Sequence, residues 1–213
     1  MKNRNRFFLL ILVFLLSFLF FSNTEWSEKE TVTSYEYTGL NGDIFHFNIS
    51  QINENTRHVL EHSFVRDGIL RSSKIPFRYS PMELEEIYME GVKFLILNSE
   101  VIYISRDHSL DDLTNGKDGV ALLTLSRVLD DEMDPDIYEF PVGIALTSPV
   151  EDVFSPVVGC DYANLEARVI ELRVGVQNAI YREGDYCVIM EFAEGEDPIK
   201  VATKLTYHML DIM

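Results

Sequence analysis

The chain has little cysteine and few cations, and each shortage removes a class of function. Two cysteines, Cys160 and Cys187, stand 27 positions apart with no clustered histidines, which excludes a zinc site of the usual spacing. Eighteen Lys and Arg face 35 Asp and Glu, a net charge of −17 at pH 7, so nucleic acid and anionic headgroups are repelled. No GxSxG nucleophile elbow occurs, and Asn115-Gly116-Lys117-Asp118-Gly119 lacks the GxxxxGK spacing of a phosphate loop. The histidines His46, His58, His62, His108 and His208 are scattered. His58 and His62 have a metal-ligand spacing only on a helix, and that stretch reads as strand. No cofactor is implied.

One feature is present in force. Phe7 to Phe21 is a charge-free apolar run preceded by Lys2, Arg4 and Arg6, the pattern that keeps an N-terminus in the cytoplasm and exports the downstream chain. Phe7, Leu9, Leu10, Leu15, Leu16 and Phe21 are its membrane-facing side chains. At about 1.5 Å per residue the run suits a signal peptide. Two features favour a retained anchor over residues 1–24: bulky Phe20 where a cleavage site needs a small side chain, and Trp26 at the far interface. Either outcome places the remainder outside the cytoplasm, with the lipid bilayer as the first partner. Without the three leading cations, 15 Lys and Arg face 35 acids, a formal charge of −20. That acidity suits solubility, divalent cations or a basic envelope partner.

Export into an oxidising space predicts that Cys160 and Cys187 close a disulfide, contributing on the order of 3 kcal/mol through loop entropy. Asn48-Ile49-Ser50 is a glycosylation sequon, with Asn48 the acceptor.

Residues 25–31 form a polar stalk. Residues 32–79 then read as an antiparallel hairpin region: 32–38 and 44–50 flank Asn41-Gly42, and 58–65 and 69–79 flank Asp67-Gly68, with Pro76 on an edge or at a strand end. Residues 80–213 read as an α/β region, and 32–213 as one exported domain. Ser80-Pro81-Met82-Glu83 starts a helix ending near Gly91. Val92 to Leu97 and Glu100 to Ser105 read as buried strands. A helix over Lys117 to Leu129 presents Ala121, Leu122, Leu125, Val128 and Leu129 on one face, and a strand over Val142 to Thr147 completes a parallel βαβ unit. Strands over 156–160, 168–174, 178–182 and 186–192 come next. Asp197-Pro198 caps a terminal helix that packs its face Ala202, Leu205, Met209 and Ile212 on the sheet. The fold class is mixed α+β: a transmembrane helix, antiparallel hairpins, then a mixed sheet with a parallel core and a C-terminal packing helix.

Five segments, FRYSP at 77–81 with ELEEI at 83–87, VIYISRDHSL at 101–110, PVVGC at 156–160 and the ending KVATKLTYHMLDIM, together resemble uncharacterised signal-anchored envelope proteins of small-genome archaea. The chain departs from that group at Asp107-His108, where the group has Asp-Pro, and at MLDIM, where it has LLGIM. The resemblance implies an envelope protein and carries over no catalytic residue.

A parallel sheet meets ligands at the carboxyl ends of its strands, which points to Ser105, Asp107 and His108, to Thr147-Ser148, and to Asp161 and Asn164 after Cys160. Asp107, Asp111, Asp112, Asn115 and Asp118 supply oxygen ligands of the kind calcium takes. Yet Leu113 and Leu122 stand where an EF-hand loop needs donors. Two functions remain: a non-catalytic binding or structural protein of the envelope, and an exported hydrolase or ligand-sensing domain at the strand ends.

Overall fold

The computed structural model describes residues 33–52, 55–135, 137–151 and 153–213. The apolar run, the stalk and their membrane expectation lie outside the described residues, among which no helix is long and apolar enough to cross a membrane. Val32–Met213 is one compact unit.

The unit begins as a four-stranded antiparallel sheet, β1 Thr33–Thr38, β2 Ile44–Ile52, β3 Asn55–Arg66 and β4 Ile69–Phe77, paired in chain order. The turn residues explain the pairing, since Gly42, Asp67 and Gly68 hold φ at +84°, +51° and +73°, the left-handed values tight hairpins require. Register puts Tyr35, Phe47, Leu60 and Ile75 in one row across the sheet, the last three buried, so one face meets the core. Pro76 lies in the edge strand, where its missing N–H costs no ladder bond.

The second sheet has six strands. Its members are β5 Tyr88–Met89, β6 Val101–Arg106, β7 Val142–Leu146, β8 Ala167–Gly175, β9 Ala179–Glu183 and β10 Cys187–Ala193, in the order β5-β9-β10-β8-β6-β7. β7, β6, β8 and β10 run parallel, and β9 runs antiparallel to β10. The expected βαβ unit is β6 and β7 joined through α2 Leu110–Thr114 and α3 Lys117–Leu129.

Two helices fill the space between the sheets. α3 buries all five apolar positions of its stripe, and the C-terminal helix α4, Ile199–Met209, packs on it. Asp197 Oδ1 accepts from the Ile199 N–H at 3.1 Å, capping α4. One expectation for this helix needs revising. Its outer face is buried as well, because the antiparallel sheet covers it: Tyr207 meets Phe77 at 4.4 Å and Phe47 at 5.9 Å between ring centroids. Thr206 tolerates this by donating its hydroxyl to the Ala202 carbonyl at 2.8 Å.

Three other segments differ from the sequence reading. Val92 to Leu97 is not a strand; Lys93–Leu97 is the short helix α1, which buries Leu95 and Ile96 while Phe94 faces solvent. A short apolar run carries no period that separates strand from helix. The helix expected over residues 80–91 is one 3-10 turn, Met82–Leu84, although its capping box forms: Glu83 Oε2 accepts from the Ser80 N–H and hydroxyl, each at 2.7 Å. Pro156 to Cys160 makes a single bridge, Val157 to Leu146, and then a 3-10 turn over Cys160–Tyr162.

Candidate functional site

At the carboxyl ends of β6 and β7 the polar residues bond mainly to one another. Asp107 Oδ1 accepts from the Ser109 N–H at 2.8 Å, and its Oδ2 from the Thr147 hydroxyl at 3.4 Å. The bonds from Ser109, ahead of a smaller desolvation cost, hold its carboxyl below the usual range. His108 Nδ1 lies 2.9 Å from Asp111. Ser105 is fully buried, and its hydroxyl has no hydrogen-bond partner among the described residues. Serine and histidine are therefore not joined as nucleophile and base.

The acids expected to offer a calcium loop hold a guanidinium. Arg106 Nη1 lies 2.8 Å from Asp111 and 2.6 Å from the fully buried Asp118, whose other oxygen accepts from the Thr114 hydroxyl at 2.5 Å. The 2.6 Å approach is an ionic contact whose angle falls short of a hydrogen bond. Asn115 takes the left-handed conformation that ends α2, at φ +53°, and Asp112 is exposed beside it.

Asn164 lies apart from these residues. Asn164 Oδ1 accepts from the N–H groups of Glu166 and Ala167 at 2.9 and 3.1 Å, at the amino end of β8 and so at the opposite end of the sheet from Asp107. Asp161 is in the 3-10 turn that carries Cys160. Asn48 is half-buried within the inner strand β2, paired with Ser34 and Val59.

The disulfide forms as expected: Cys160 and Cys187 are bonded, with Cα atoms 5.4 Å apart. It fastens the segment after β7 onto the sheet face away from the helices, over a small core of Ala145, Val158, Val169 and Ile189. That face also carries charge. The Cys160 N–H donates to Glu171 Oε2 at 3.1 Å, and Arg173 bridges Glu171 at 2.5 Å and Glu183 at 2.6 and 2.9 Å. Arg173 holds the Glu183 carboxyl below its ordinary value. Both cysteine sulfurs and a Glu171 oxygen lie within 4.8 Å of one another, a grouping that could hold a metal ion, but the closed bond removes both thiolates.

A cavity of about 490 Å³ lies elsewhere, between the antiparallel sheet and α3. Arg57 of β3, Arg78 just past β4 and Arg127 of α3 line it, over a floor that includes Phe77, Val120 and Ile199. Sequence reasoning missed it. The three arginines are far apart in the chain and belong to no local motif, so only the tertiary fold brings them together.

No family model, curated protein or solved structure matches the chain. Its own geometry is therefore what bears on function.

Proposed function

We propose that the chain is a single-pass envelope protein, anchored by its N-terminal apolar run, whose acidic domain over residues 32–213 binds other molecules outside the cytoplasm and catalyses no reaction. The observation that supports this reading most is the closed Cys160–Cys187 bond, a state that cytosolic thiol buffers oppose and oxidising compartments sustain. The charge fits as well, because a domain carrying 32 of the chain's 35 acids is repelled by anionic headgroups and stays in solution beside the bilayer. The resemblance to archaeal signal-anchored proteins points the same way. The alternative, a hydrolase or ligand-sensing domain at the strand ends, draws less support, because His108 is engaged with Asp111, the Ser105 hydroxyl has no partner among the described residues, and Asn164 lies at the opposite end of the sheet.

The test is topological. Protease added to intact cells is expected to digest the domain, and a thiol-alkylating reagent is expected to label neither cysteine until a reductant is supplied. Protection in intact cells, with digestion after permeabilisation, would overturn the placement.

A further inference from the structure

The arginine-lined cavity runs against the composition of the chain. Elsewhere the arginines that are at least partly buried are neutralised, Arg106 by Asp111 and Asp118 and Arg173 by Glu171 and Glu183, while Arg71 stands exposed on β4 and unpaired among the described residues. Arg168 is spent on the carbonyls of Leu95, Leu165 and Asn98. In the cavity this rule lapses. Among the described residues Arg57 and Arg127 have no ion-pair or hydrogen-bond partner, although acids outnumber cations 35 to 18. Arg78 has a loose one, Asp197 at 3.8 Å, which Lys117 shares at 3.4 Å.

Arg57 and Arg78 are exposed and Arg127 is half-buried, so water screens much of their mutual repulsion while all three guanidinium groups stay open to an incoming anion. Arg127, in the last turn of α3, also gains a little from the helix dipole. The apolar part of the lining adds a second feature. Phe77 and Ile199 are each 2% exposed and Val120 is 48% exposed, so hydrocarbon remains open at the mouth.

We propose that this cavity binds a small organic anion: a carboxylate or phosphate head on the guanidinium groups, and an apolar body against Phe77 and Val120. Planar forked donors match both oxyanions, and a volume of about 490 Å³ suits a ligand of small-molecule size. Polyanions are excluded, because a net charge of −17 repels anything extending beyond the cavity. The proposal names a ligand class for the binding role above and rests on that reading.

The test is calorimetric titration of the full chain in a mild non-ionic detergent with phenylacetate, phenyl phosphate, inorganic phosphate and benzyl alcohol. Phenylacetate or phenyl phosphate is expected to bind, the tighter of the two identifying the head group, with inorganic phosphate weaker and benzyl alcohol silent. Arg57→Gln with Arg127→Gln is expected to weaken binding roughly 10-fold or more, as loss of charge-assisted hydrogen bonds implies. Val120→Asp, at a half-exposed position, should abolish binding without touching the core, and it decides the matter if the arginine variant fails to fold. No binding of either aromatic anion, or undiminished binding in the variants, would overturn the proposal. These titrations are independent of compartment, so failure here and failure of the protease test are separable.

Discussion

Replacing Cys160 and Cys187 together by alanine removes the one covalent cross-link and leaves the rest of the sheet register intact. The bond closes a loop of 27 positions, and the chain-entropy relation gives about 3.5 kcal/mol at 25 °C for that length. Two secondary losses add to it. Cys187 is 1% exposed, so its truncation opens space in a small core, and the Cys160 N–H that Glu171 accepts from is no longer fastened in place. A domain of this size loses a few degrees per kcal/mol, so the transition should fall by about 10 °C. Thermal unfolding of the full chain in detergent, with and without reductant, measures the effect. Reduced wild type and the double variant should shift together. An unchanged midpoint in both would refute the claim that this bond restrains the unfolded chain.

Asp118→Ala is expected to cost about 3 kcal/mol, because the mostly buried Arg106 loses its closer, fully buried carboxylate, whereas Asp111→Ala should cost under about 1 kcal/mol; equal losses in urea unfolding would contradict this. Tyr207→Phe should cost about 1–2 kcal/mol, since its hydroxyl donates to the Tyr79 carbonyl at 2.7 Å inside the core, and thermal unfolding reads the loss. Burial holds His58 and His62 below the ordinary histidine value, against the opposing pull of Glu83 on the first and Asp211 on the second. Their unfolded forms titrate near pH 6.5, so stability is full above that pH and is lost as pH falls below it. Urea midpoints at pH 7.5 and 5 should show the drop, and His58→Gln with His62→Gln should flatten it.

How far the sequence foretells this structure depends on the range of the signal. Gly42 and the Asp67-Gly68 pair fix both hairpins because positive φ is a property of the residues themselves. The helix Lys117–Leu129 matches its expected bounds because an apolar stripe over 13 residues has one interpretation. Lys93–Leu97 fails because five residues hold no period, and Leu95 and Ile96 are buried in either conformation. For α4 the sequence identifies the helix but not its environment. Thr203, Lys204 and Thr206 mark a polar face, yet all three are buried, and nothing in the helix announces that the antiparallel sheet packs over it. The candidate site shows the same limit. The cysteine pair is legible from compartment and count, whereas the cavity needs Arg57, Arg78 and Arg127 from three elements.

The order of strands carries a consequence for how the domain is completed. β8 and β9 are consecutive, linked by only three residues, 176–178, yet β10 lies between them, parallel to one and antiparallel to the other. Until that segment leaves the ribosome, its two neighbours face an empty slot and cannot zip together without excluding it. A chain interrupted before residue 187 thus presents two unsatisfied edges that invite pairing with another copy. Quality control during biogenesis would meet this protein first as an open frame awaiting its last strand.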